Sequence, residues 1–555
     1  MLHTRRPRTL PARWWLAAAT LAAALAPCVG QAGDWLYRVR PRDNVWTLTQ
    51  RYLKPSVSWQ RLQAYNKLGD PYHLPPGSSL RIPVGWLKVQ PADATVVAVI
   101  GDAHARLPGQ AQDLPVTAGM KLGYGARVDT GAHASLTLEF ADGSRVLVQD
   151  DSELQLDRMS AYGTTGMADT HLRLQHGRIT NAVTPMPGTT AHFTVQTPGA
   201  ISSVRGTHFR VAAGDAHSQT EVVGGRVDVA GQHRHVQVGK GSGVAVADGQ
   251  RPGRVHRLLP APALDCPAKP VTRLSFPLGW TALPGAGHYR VQIAPDDRFE
   301  ALLFDRVTGA LPHVSLPDLP NGDYALRVRG IDADRLEGLD ATCTLHIATH
   351  PQPPLVQQPQ PGGKARHPRP DFRWTESTEA VSYDWQLASD AGFRHPLAEL
   401  PRVDGDHARA PKALPLGRYY WRIASRDRSG QLGPYTDPMP FDRVAPPPTP
   451  AVGAPKQAGD QMTLAWPAGT PGQHYRIQMA RDAGFAHPVV DQTLDTPKLQ
   501  VRKPGAGTWY VRVRTIDTDG YVGDWGPVQK FKLPCIACRI AAGVGGGAVL
   551  LWLLL

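Results

Sequence analysis

Four groups of residues have types and spacings that could support chemistry. Histidines crowd one stretch: His171, His176, His192, His208, His217, His233 and His235. Only His233 and His235 are spaced to share a strand face, and two ligands fall short of the three or four that zinc takes. They read as strand histidines, and no metal site is expected. Asp142, Asp150, Asp151 and Glu153 are close enough to suggest the two carboxylates of a glycosidase. They fall on a turn and the strand end beyond it, where Asp and Glu are ordinary solvated residues. Asp517 and Asp519 begin like a calcium loop, but the later Glu ligand is missing. The fourth group is the cysteines, of which there are five. Cys28 lies in an apolar leader, leaving Cys266, Cys343, Cys535 and Cys538. In an oxidising compartment an even number reads as disulfides. Cys266 and Cys343 are expected to pair, because they flank one β module. The pair Cys535 and Cys538 has too few ligands for a structural zinc. No HExxH, GxSxG or Cys–His pattern is present. No catalytic residue and no cofactor are expected.

The elements that position these residues follow from composition. At 555 residues the chain exceeds one hydrophobic core and implies several domains. Gly 55 and Pro 52 make up about a fifth of it, against roughly an eighth on average. Hydrophobic residues still reach 42%, which excludes a disordered chain. Many turns with enough apolar residues for cores indicate short strands, so the fold class expected is mainly β. The formal net charge of +13 favours anionic partners. Arg5, Arg6, Arg8 and Arg13 precede the apolar stretch WWLAAATLAAALAP and the small-residue exit Gly30-Gln31-Ala32. That order is the pattern of a secretory signal peptide over residues 1–32. Export to a periplasm or cell envelope follows, and it removes nucleic acid as a partner.

Residues 34–86 hold the helical signals. A short strand leads to Asp43 or Asn44 as helix cap, a second helix starts near Val57, and Ser79–Ile82 returns as a strand. The segments YRVRPRDNVWTLTQRY, WQRLQAYNKL and DPYHLPPGSSLRIP closely resemble a LysM module, a small β-α-α-β unit. The resemblance implies binding of peptidoglycan or another N-acetylglucosamine-containing glycan in a groove between two loops. Carried onto this chain, the glycan-binding residues are Asp43, Asn44, Val45, Asp70, Tyr72, His73 and Leu74. Arg42 stands where the family has Gly, which bears on the groove's shape or charge. Trp46, Trp59 and Leu80 are expected in the core.

Residues 88–258 alternate at period two between turns, as in ASLTLEF and the Asp142-Gly143 hairpin into RVLV. This is an all-β domain, either sandwich or solenoid. The stretches DTGAHASLTLEFADGSRVLVQDDSELQL, LRLQHGRI, FTVQTPGAISSVRGTHFRV and VVGGRVDV resemble the FecR domain, whose members relay signals from an outer-membrane transporter to a cytoplasmic sigma factor. The family's sigma-binding segment and membrane helix are replaced by the leader. What the resemblance implies is therefore an extracytoplasmic domain that senses or docks.

Beyond residue 270 the chain repeats. Trp280, Trp374 and Trp466 recur with Tyr289, Tyr383 and Tyr475 and with Phe299, Phe393 and Phe485, in YRVQIAPDDRF, YDWQLASDAGF and YRIQMARDAGF. A period near 92 residues with one early Trp resembles fibronectin type III-like sandwiches, over 270–349, 364–443 and 449–533. Pro-rich linkers separate them. Residues 536–555 end in a short apolar helix, and two readings stay open: a membrane tail or a helix buried against the β modules. Together these parts describe a non-enzymatic cell-envelope protein. It would bind glycan, sense or dock through the FecR-like domain with an envelope protein as partner, and use the sandwiches as scaffold, in a signalling role. The alternative is a cell-wall hydrolase that the LysM module targets.

Overall fold

The computed structural model describes residues 33–185, 193–204, 206–214 and 216–534. The leader, the Cys535/Cys538 pair and the terminal apolar run lie outside the described residues. The chain divides into two compact units, one ending at Thr349 and one starting at His350.

The first unit opens with β1 (Asp34–Arg38), α1 (Val45–Tyr52), α2 (Trp59–Asn66) and β2 (Ser79–Pro83). β1 and β2 pair antiparallel, with Tyr37 opposite Leu80. α1 starts where it does because the Asn44 side chain accepts the Thr47 N–H at 2.8 Å, while the Thr47 hydroxyl accepts the Asn44 N–H at 3.4 Å. That reciprocal cap satisfies two orphan donors. Ser58 caps α2, and Lys67 in the left-handed region (φ 53°) ends it, as helix stops often do. Val45, Leu48 and Tyr52 form the buried stripe of α1 and meet Leu62, Leu80 and Ile82. Met167, from the β domain that follows, completes this core.

Strands from Gln90 to Arg257 close into a barrel, which the pairings flatten into two layers. Ala168–Ala182 passes from one layer to the other. Its first half pairs with Ser152–Ala161 and, in parallel, with Phe193–Gln196. Its second half pairs with Arg145–Val148 and His208–Gly214. The crossing falls at Gly177, at φ 94°, where a Cβ would lie 2.1 Å from Ser152 Oγ. Only glycine fits there. Alternating residues such as Leu136, Leu138, Leu154, Leu156, Leu172 and Leu174 fill the space between layers. Of the two forms left open by the sequence, this is the sandwich.

Three sandwiches follow. The first pairs Leu264–Asp265, Pro277–Trp280 and His313–Ser315 in one sheet. Its other sheet holds Phe304–Thr308, His288–Ala294, Gly322–Ile331 and Ala341–Ile347. The second and third, both in the second unit, also set a three-stranded sheet against a larger one. The repeated Trp and Tyr explain themselves. Trp280, Trp374 and Trp466 pack edge-on against Tyr289, Tyr383 and Tyr475 at 5.2, 5.5 and 5.7 Å. Each Tyr hydroxyl accepts the backbone N–H six residues earlier, from Leu283, Ser377 and Gly469. A buried Tyr needs such a partner. Cys266, just after the first strand of its sandwich, is bonded to Cys343 in the last strand.

In the first unit the barrel and the first sandwich meet through a buried charge network beside a small apolar contact of Leu147 with Ala294, Phe299 and Leu302. Glu221 of the barrel is fully buried and takes Arg178 at 2.9 Å and Arg210 at 3.1 Å. Glu337 of the sandwich, 1% exposed, pairs with Arg329, with Arg290 at 2.7 Å and with Arg178 at 3.2 Å. Its own backbone N–H donates to Glu221 at 3.0 Å. Burial raises the Glu337 carboxyl, but attraction from Arg178, Arg329 and Arg290 reverses this and holds it well below the usual range. Asp340, opposed by burial and drawn down chiefly by Arg329 and Arg210, is lowered to about 2.

Changing Glu337 to Gln keeps the shape of the side chain but leaves guanidiniums uncompensated. The first unit should lose about 3–5 kcal/mol of stability, read by urea unfolding; an unchanged midpoint would refute the assignment. Because the folded values of Glu337 and Asp340 are depressed, their contribution is complete above the ordinary carboxylate range. It is lost as pH falls below that range, for Asp340 through about 2. Asp150, raised by burial and then by Asp305, works in the opposite sense.

Candidate functional site

The N-terminal unit carries a cleft of about 320 Å³ lined by Asn44, Trp46, Trp59, Pro71 and Tyr72. One wall is the start of α1, the other the loop that follows α2, and the two are tied by the Val45 N–H donating to the Pro71 carbonyl at 3.0 Å. The Asn44 cap places the cleft. With Oδ1 held by Thr47, its Nδ2 donates to no protein group among the described residues and remains available to a ligand. Tyr72 is 68% exposed and Trp46 50% exposed. Two aromatic rings beside an amide can stack on sugar faces and pair with an acetamido group.

The loop opposite α1 is shaped by Asp70. Its carboxylate accepts the Tyr72 N–H and faces His73 Nδ1, both at 2.8 Å. Those two interactions, the backbone one first, lower its pKa. Asp43 is likewise occupied by the fold. It accepts the Tyr37 hydroxyl at 2.6 Å and the Arg40 N–H at 2.8 Å, and burial followed by this hydrogen bond pushes the Tyr37 phenol up to about 12.

The structure brings together Asn44 and Tyr72 of the residues expected at the groove. His73 is exposed at the loop tip and Asp70 holds that loop. Val45 and Leu74 are corrections: at 0% and 7% exposure they are core, since Val45 opens the buried stripe of α1 and Leu74 points into the same cluster. Leu80 is core as expected, and Trp59 is partly buried at the cleft wall. Trp46 is a further correction. One residue after Val45 it turns about 100° around the helix, away from the core and into the cleft. The signal for it was the period of α1, read from a buried Val45. Arg42 adopts φ 73°, the left-handed region that glycine enters freely, which explains the Gly of the resembled family. It is not among the residues lining the cleft.

Residues 37–83 match the model of the LysM domain, and residues 126–228 match that of the FecR protein family. No curated protein matches the chain. Among solved structures, two from Parabacteroides distasonis, provisionally described as an anti-sigma factor, are 18% identical at a TM-score of 0.20. The match covers 24% of this chain and 59% of theirs. The FN1–FN3 domains of chicken CNTN1 are 13% identical at a TM-score of 0.25, over 50% of this chain and 99% of that one. The fibronectin(III)-like modules of Clostridium thermocellum CbhA are 15% identical at 0.23, over 32% and 90%. The chain thus carries a LysM domain and a FecR-type region within a mainly β architecture, which supports a binding or signalling role at the cell envelope. Among the described residues no group of side chains could hold a metal, and no helix is long and apolar enough to cross a membrane.

Because Asn44 both caps α1 and faces the cleft, its two roles separate by substitution. Asn44→Ala should lower stability by about 1 kcal/mol, and Asn44→Ser should retain nearly all of it. Thermal unfolding of the two variants side by side checks this; equal losses would dismiss the cap.

Proposed function

We propose that this protein is an exported, non-enzymatic envelope protein. In this reading it holds peptidoglycan, or another N-acetylglucosamine-containing glycan, in the cleft of its LysM domain, while the FecR-like region docks or senses a second envelope component. The observation that carries the glycan reading is the pair of exposed aromatics, Trp46 and Tyr72, on opposite walls of one cleft beside the Asn44 amide. Apolar rings left in water at a concave site offer stacking area to a sugar, and the Asn44 Nδ2 supplies a donor for its acetamido oxygen. The basic, then apolar, then small-residue order of residues 1–32 supports export, and the three sandwiches serve as scaffold between the glycan and a partner.

The rival explanation for retention on the wall is net positive charge, and salt separates the two. Screening lengths shorten from about 10 Å at 0.1 M to about 3 Å at 1 M, so adhesion to anionic polymer fades while stacking on neutral sugars persists. Sedimentation with purified peptidoglycan should show binding at both salts, weakened about ten- to a hundredfold by Trp46→Ala with Tyr72→Ala, through lost apolar burial. Salt-sensitive binding that survives both substitutions would reject the cleft.

A further inference from the structure

The three sandwiches repeat in sequence, so equivalent positions on their outer faces can be compared directly. In the first, that face is built by Arg290, Gln292, Arg327 and Arg329, which alternate with the core residues Tyr289, Val291, Leu326 and Val328. It is an interface. Gln292 meets Gln149 of the barrel at 3.2 Å, and Leu147 packs against Ala294, Phe299 and Leu302. Its charges are balanced by Asp305, Glu337 and Asp340.

The third sandwich keeps this face. Arg476, Gln478, Arg512 and Arg514 occupy the equivalent positions, with core residues Tyr475, Ile477, Val511 and Val513 between them. The internal wiring is retained as well. Asp491 takes Arg476 at 2.8 Å and Gln478 at 2.9 Å, as Asp305 takes Arg290 and Gln292. Gln478 accepts Arg512 as Gln292 accepts Arg327, and each of those arginines lies over a Phe, Phe485 or Phe299.

Two acids are missing. The residue bridged to Ile331 is Glu337, whereas the residue bridged to Ile516 is Val522. Three positions on, Asp340 is replaced by Trp525, and both Arg512 and Arg514 lie 4.4 Å over its ring. No carboxylate pairs with Arg512 or Arg514 among the described residues, and Arg514 Nε is buried without an acceptor. Two guanidiniums are thus held in place on a sheet face, with Val522 44% exposed beside them.

We propose that this face of the third sandwich is a protein-docking surface, and that its partner is a separate protein presenting carboxylates from a β layer. Charge complementarity and the first sandwich both point to that chemistry. There the same Arg–Gln–Phe platform is covered by a β layer whose Asp150 lies 3.8 Å from Arg290, and the loop carrying Glu337 closes over it. On the third sandwich the platform persists without the loop acids equivalent to Glu337 and Asp340, so the counter-charge for Arg512 and Arg514 must come from outside it. Trp525 keeps the arginines extended for it by cation–π stacking.

The test uses the full chain and a fluorescent β-hairpin peptide with glutamates on one face, with oligogalacturonate as the anionic glycan comparison. Wild type should bind the hairpin saturably. Val522→Glu installs the carboxylate of the first sandwich and should weaken that binding at least tenfold while leaving thermal unfolding unchanged or raised. Arg514→Gln should weaken it similarly, and Arg502→Gln, on the other sheet, should not. No saturable binding by wild type, or hairpin affinity unchanged in both Val522→Glu and Arg514→Gln, overturns the proposal. Tighter binding of oligogalacturonate that the same two variants abolish also overturns it, in favour of a glycan surface.

Discussion

An ionised carboxylate is stable away from water only among cations that replace its hydration, and the first unit depends on that constraint. Glu337 sits in a turn of the first sandwich and reaches arginines of two domains, Arg290 and Arg329 of its own and Arg178 of the barrel. Arg210 of the barrel answers by donating to the Glu337 and Gly338 carbonyls. Each domain therefore completes the charge balance of the other. Breaking any one of these pairs leaves a buried charge uncompensated, a cost that the small apolar contact of Leu147 with Ala294, Phe299 and Leu302 does not carry. The disulfide between Cys266 and Cys343 closes the same sandwich across its two sheets.

The cleft beside α1 rests on a smaller constraint of the same kind. The first N–H groups of a helix lack partners within it, and Asn44 satisfies one from outside. Its position sets the phase of α1, which sends Val45, Leu48 and Tyr52 inward and Trp46 outward. Capping the helix and placing an amide at the cleft are two consequences of one residue. The Asp70 turn does the same work on the opposite wall, where its hydrogen bond to the Tyr72 N–H shapes the loop that carries the Tyr72 ring.

Repetition adds a third theme. The three sandwiches share the Trp–Tyr edge contact and the Tyr hydroxyl bond, because these satisfy a buried hydroxyl in the same way each time. They diverge on the outer face. There the second sandwich stacks Arg422 on Phe393 and Tyr435, the third stacks its arginines on Trp525, and the first neutralises them with acids. Core positions answer to packing alone, while outer positions answer to whatever covers them.

Local rules were legible in the sequence. Period two gave away the strands, a cap at Asp43 or Asn44 and the Trp59/Leu62 spacing gave the helices, and the recurrence of Trp280, Trp374 and Trp466 gave the number of sandwiches. The LysM and FecR resemblances rested on runs of neighbouring residues, and the family models match within the same regions. What the sequence left undecided was everything that depends on residues far apart in it. Arg178, Glu221 and Glu337 are unremarkable surface types until the fold removes them from water, and no spacing announces their meeting. Trp46 read as core because an aromatic in a helix is usually buried, and only the placement of α1 against β2 turned it outward. The Cys266–Cys343 pair lay between these cases, suggested by its module and brought together by two sheets packing face to face. Hydrophobic period and capping act over a few residues and are written in order along the chain, whereas desolvation and charge pairing depend on distance in space, which only the tertiary structure decides.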